Sequence, residues 1–171
     1  MKRFVLLTLI LYAIFNPKTI QAPVAPQVLA DTVAVDLRAE KLTKFLKERN
    51  SPLVGNVRDF IRTADDFDLD WRLLPAISAV ESGMGQHTPS CARYNPFGWT
   101  STTSPCGYWR FDSFDEAIRF VGGKIATKTA YSKFQRTGRV EELALAYNPG
   151  GWEEWTAKVN YFMELLNQKE K

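Results

Sequence analysis

Between residues 37 and 167 apolar positions recur mostly at three- and four-residue spacing, and that period predicts helices. Residues 37–48 read as a short charged helix with Leu42, Phe45 and Leu46 inward. Ser51-Pro52 is a start signal with proline at the first helical position. Leu53, Val57, Phe60, Ile61, Ala64 and Phe67 then mark an amphipathic helix. Asp70 is placed to cap the next one, Trp71 to Ser82, in which Pro75 lies early enough to be tolerated. Gly83 and Gly85 end it. Ser113-Phe114-Asp115-Glu116 is a capping box opening a helix through Ile118, Val121 and Ile125. A short helix over residues 139–147 stops at Asn148-Pro149-Gly150-Gly151. The last helix runs from about Glu153 to Asn167, with Trp155, Val159, Phe162, Met163 and Leu166 inward. No internal repeat interrupts this succession.

Two stretches depart from it. Residues 83–111 are rich in Gly, Pro, Ser and Thr, hold both cysteines and several Trp and Tyr residues, and have no period; Phe97 to Thr100 and Tyr108 to Phe111 are expected to pair as a short hairpin. At the start, Met1-Lys2-Arg3 precedes an apolar run from Phe4 to Phe15. A helix of that length spans roughly 18 Å against a hydrocarbon core of about 30 Å, which fits a secretory signal better than a membrane span. Residues 1–30 are therefore read as a signal peptide cut after Val28-Leu29-Ala30, or as a retained anchor tethered to a membrane through residues 4–15. Residues 31–35 are a linker, and 36–171 are the folded domain.

Composition changes this picture in two respects. The 171 residues carry a formal charge of +3, but Lys2, Arg3 and Lys18 account for all of it, because residues 1–30 hold no Asp or Glu. The remaining chain has 19 basic and 19 acidic residues. It offers no basic excess for phosphates, so nucleic acid is not an expected partner. Cys91 and Cys106 are the only cysteines. In an exported chain such a pair reads as one disulfide, whose loop contributes about 3 kcal/mol in the chain-entropy model; two unpaired thiols are the other reading. Together with His87, the single histidine, they are too few for a metal site, and no metal or cofactor is expected.

One carboxylate breaks the apolar pattern. Leu74, Ile77, Glu81 and Met84 are spaced three, four and three, so Glu81 stands in an apolar stripe and in the last helical turn. Apolar surroundings and the negative end of the helix dipole both raise a carboxyl pKa. A carboxyl kept protonated near neutral pH is what a general acid needs to protonate a glycosidic oxygen. Spacing alone equally allows a helix-end glutamate with its head in water.

Ala79-Val80-Glu81-Ser82-Gly83-Met84-Gly85 resembles the A-x-E-S-G-x-G segment of bacterial endo-β-N-acetylglucosaminidases of the autolysin and flagellar-muramidase type, members of the lysozyme-like superfamily. Asn95-Pro96-Phe97-Gly98-Trp99 is similar to their N-x-F-G segment, and Tyr108-Trp109-Arg110-Phe111-Asp112-Ser113-Phe114 to their aromatic entry into the next helix. Leu145-Ala146-Tyr147, followed by Trp152, is similar to their tyrosine-bearing segment. These four segments stand in the same order over Asp70 to Met163. With the helical spacing, the resemblance implies a mainly α, lysozyme-like domain. Its short β-hairpin loop, closed by the disulfide, is a variation on the family loop; the leader implies export to the cell envelope or beyond, and a monomer is expected. The resemblance also implies cleavage of β-1,4 bonds in N-acetylhexosamine polymers, chiefly peptidoglycan, with Glu81 as catalytic acid and Tyr147 assisting near the cleaved bond.

Flat sugar faces stack on aromatic rings, so Tyr94, Trp99, Tyr108, Trp109 and Trp152 are candidate substrate contacts, with Trp99 and Trp109 divided between cleft wall and loop packing. Trp71 and Trp155 are expected to be structural. Asn95 is placed either to bond an acetamido group or to hold the loop's own backbone, and His87 reads as a surface loop residue. Residues 82–111 contain no Asp or Glu, which leaves the loop without a second carboxylate; Asp112 reads as a helix-start residue. Three alternatives remain at this level: a lytic transglycosylase, a peptidoglycan amidase, and a catalytically dead wall-binding module.

Overall fold

The computed structural model describes residues 36–168; the expected leader, cleavage site and linker lie outside them. Seven α-helices follow one another in these residues: α1 Leu37–Lys47, α2 Val57–Phe67, α3 Leu73–Ser82, α4 Phe114–Thr127, α5 Ser132–Thr137, α6 Val140–Tyr147 and α7 Trp152–Asn167. The fold is mainly helical, as the spacing predicts.

Local chemistry sets the helix starts. Asp36 caps α1 by accepting from the Arg38 N–H, and α1 buries Leu42, Phe45 and Leu46. Ser51 accepts from the Leu53 N–H and opens a 3₁₀ turn, Pro52–Asn56, that leads into α2. Asp70 bonds the Arg72 N–H, yet α3 begins two residues later than the expected Trp71, after a turn closed by Leu73 N–H on the Asp70 carbonyl. Ser113 caps α4 through the Glu116 N–H, while the Glu116 carboxylate reaches back to the N–H of Asp112 at 2.7 Å. Asp112 is thus part of the helix start.

The core gathers Phe60, Leu73, Leu74, Ile77, Ile118, Val121, Ile125, Leu143, Trp155 and Val159. α2 packs on α4, and α3 and α6 both pack on α7. Gly122 of α4 is buried against Thr63 of α2, where a Cβ would collide with the threonine methyl, so the two helices approach closely at a residue with no side chain. α5 went unforeseen. It has six residues and buries one apolar side chain, Phe134, too few for a period to show.

Residues 83–111 form the irregular loop expected of them, closed by the Cys91–Cys106 disulfide. The expected hairpin contracts to a single antiparallel bridge between Thr100 and Tyr108, flanked by Trp109 N–H on the Trp99 carbonyl and Ser101 N–H on the Gly107 carbonyl. No strand occurs among the described residues. Cross-links from side chains, described below, hold this loop where a ladder would otherwise do so.

Candidate active site

α3 ends immediately after Glu81 and Ser82, and the residues around the glutamate are used to turn the chain. Gly83 takes φ +59° and closes the helix through its N–H on the Ala79 carbonyl, while the Met84 N–H reaches Ser78. Met84 and Gly85 also have positive φ. The Met84 strain is held by burial of its side chain and by the Ser51 hydroxyl, which donates to its carbonyl at 2.8 Å. Buried Ser82 donates to the Pro96 carbonyl at 2.8 Å and accepts from the Gly85 N–H at 2.9 Å, joining helix end, turn and loop. Ser82, Gly83 and Gly85 therefore serve the backbone. Glu81 remains as the one ionisable side chain of the segment.

The loop is drawn onto Glu81 by two side chains. Asn95 is fully buried; its amide donates to the carbonyls of Trp99 and Trp109 at 2.8 and 2.9 Å and accepts from the Trp99 N–H at 3.0 Å. The structure gives Asn95 to the loop backbone, and its candidacy as a sugar contact is corrected accordingly. Asn95→Ala should lower stability by about 2 kcal/mol or more, because it strands buried polar groups; thermal melting should register this loss, whereas removing a sugar contact would alter only substrate affinity. The second side chain is Tyr147, whose hydroxyl donates to the Phe97 carbonyl at 2.7 Å. Its single proton is committed there, and burial, with Glu81 nearby, holds its pKa well above the ordinary value. Tyr147, expected near the cleaved bond, stands beside Glu81 and is a neutral support for the loop.

Glu81 is half-buried between α7 and this loop. The Trp155 indole N–H donates to its Oε1 at 2.7 Å. On the other side stands Gly98, at φ +60°, so close that a Cβ there would lie 2.6 Å from Glu81 Oε2. Desolvation raises the Glu81 pKa and outweighs the Trp155 hydrogen bond, which lowers it. No cation and no second carboxylate ranks among the influences on this group within the described residues. Among those residues there is also no cluster of three or more His, Cys, Asp or Glu that would suit a metal ion.

Aromatic rings extend from the carboxyl in steps. Trp155 stacks on Tyr147 (centroids 5.2 Å), Tyr147 meets Trp99 edge-on (5.8 Å), Trp99 meets Phe120 (6.0 Å), and Phe120 stacks on Trp109 (5.0 Å). Trp109, 39% exposed, is the open end of the series. The structure thus links Glu81, Tyr147, Trp99 and Trp109, with Asn95 behind them. Tyr94 turns to α4, edge-on to Phe114 at 5.2 Å, and Tyr108 stands at the bridge with Thr100. Trp152 packs half-buried at the start of α7, and His87 is exposed beside Gly83.

Sequence reasoning passed over two groups at this site. Trp155, expected to be structural, is in the core but reaches Glu81 with its N–H; a buried indole that must find an acceptor was the available signal. Gly98 stood in a recognised segment without a role, and its positive φ and close approach appear only in three dimensions. No family model, curated protein or solved structure matches the chain.

Proposed function

We propose that this chain is an exported glycoside hydrolase that cleaves β-1,4 bonds in N-acetylhexosamine polymers, with cell-wall peptidoglycan as substrate and Glu81 as general acid. The observation that carries this reading is the state of Glu81: a half-buried carboxyl with raised pKa, held by one indole N–H and balanced by no cation. That is the condition of a proton donor. The four ordered segments that resemble lysozyme-like glucosaminidases support it, and so does the series of rings ending at exposed Trp109. A disulfide is compatible with export, and among the described residues no helix is long and apolar enough to cross a membrane.

In this mechanism Glu81 gives its proton to the glycosidic oxygen as the bond to the anomeric carbon breaks. With no second carboxylate in residues 82–111, the carbonyl oxygen of the sugar's own 2-acetamido group bonds to that carbon from the opposite face. The Glu81 carboxylate then takes a proton from the water that opens the resulting ring, which restores the acid. The same single carboxylate also suits a lytic transglycosylase, in which the sugar's C6 hydroxyl replaces water. Digestion of purified cell walls followed by mass spectrometry of the fragments tests both. Reducing ends with water added support the hydrolase, 1,6-anhydro ends shift the assignment to the transglycosylase, and walls bound without any fragment released would leave a binding module.

A further inference from the structure

We propose that Trp155 is a positioning residue that decides which oxygen of Glu81 carries the transferable proton, leaving Oε2, on the Gly98 side, as the donor. The proposal rests on Glu81 being the acid and adds how that acid is aimed. An indole N–H is a donor only. It is satisfied when it meets a carbonyl or carboxylate oxygen and loses its partner when it meets a protonated one. At 2.7 Å from Oε1, it therefore selects Oε1 as the carbonyl oxygen of the neutral carboxyl and places the hydroxyl on Oε2. The indole is itself fixed. Trp155 is buried in the core, stacked on Tyr147 at 5.2 Å, and Tyr147 is held by its bond to the Phe97 carbonyl. Phe97 adjoins Gly98, so the ring pair that aims the carboxyl also holds the loop segment facing Oε2.

The groups that set the titration of Glu81 are few. From α7 the Trp155 N–H favours the ionised form, and burial favours the neutral one. From α6 the Tyr147 phenol faces the carboxyl and stays neutral; the Tyr131 phenol, between α4 and α5, acts on Tyr147 and is likewise raised by burial. Removing the indole donor therefore shifts Glu81 toward its protonated form, to higher pH.

Two variants test this: Trp155→Phe, and site-specific replacement of Trp155 by β-(benzothiophen-3-yl)alanine, which keeps the ring's shape and lacks the N–H. The readouts are the pH profile of wall digestion and the ¹³C titration of the Glu81 carboxyl, assigned by its loss in Glu81→Gln. With the benzothiophene ring, activity at the optimum should fall about tenfold as the carboxyl loses its aim. The basic limb of the profile and the carboxyl titration should both move to higher pH. A carboxyl that titrates at unchanged or lower pH in the isostere overturns the proposal. Should Trp155→Phe disturb the fold, the isostere still decides. Full activity in Glu81→Gln would remove Glu81 as the acid and Oε2 as the donor, whereas the carboxyl titration separately judges, without any activity, whether the Trp155 N–H acts on Glu81.

Discussion

Glu81→Gln is expected to lower wall-degrading activity by about 10²-fold or more, the scale on which a positioned general acid acts. The amide keeps the size of the side chain and an oxygen for the Trp155 N–H, so the helical fold should persist, with an unchanged far-ultraviolet dichroism spectrum. Its effect on stability depends on pH. Because the folded carboxyl has a pKa above the ordinary 4.5, the native state retains a proton that the unfolded chain has already released. Native stability therefore falls as pH rises from the ordinary value to the folded one, and stays at that lower level above it. The amide pays no such penalty. Melting temperatures of the variant and the parent should coincide in acid and diverge toward neutral pH, with the variant higher. An inactive variant that melts lower at pH 7 would place the defect in the fold and not in the proton.

Gly98→Ala should be nearly as damaging to activity, by about 10²-fold, through misplacement of the acid. The new methyl would lie 2.6 Å from Oε2, so the carboxyl must swing away from its bond with Trp155 or the loop must retreat. Backbone strain adds its own effect, because an L-residue at φ +60° costs about 1–2 kcal/mol. Gly107→Ala separates the two contributions. Gly107 also has positive φ, +78°, and belongs to the same irregular loop, next to the disulfide, but a Cβ there meets nothing within 4 Å. It should show a similar loss of melting temperature and retain its activity. Equal activity losses in the two variants would mean that loop strain, and not the approach to Glu81, governs the site.

The helical frame was legible because its signals are local. Leu42, Phe45 and Leu46 on α1, the Ser51 and Ser113 caps, and Gly83 at the end of α3 each act within a few residues of themselves. Glu81 was visible as a break in an apolar stripe. What stayed hidden depends on partners distant along the chain. The inward face of α7 accounts for Trp155 as ordinary core, and nothing near it in sequence reveals that its N–H meets a residue 74 positions away. Tyr147 is likewise bonded 50 positions away, to a backbone carbonyl that leaves no mark on composition. A hairpin was expected from the pairing of Phe97 to Thr100 with Tyr108 to Phe111, yet Asn95 supplies bonds that a longer ladder would have supplied, so a single bridge suffices.

The distance between Glu81 and Trp155 along the chain also makes the acid depend on the last helix. The turn after α3 is held by neighbouring residues, but the carboxyl has its donor, and that donor its ring stack, only where the last helix is docked. Without the last helix Glu81 has no indole donor, so the organised acid depends on the completed core. A chain interrupted before residue 152 would carry the entire Glu81 segment and the disulfide loop, and no organised acid.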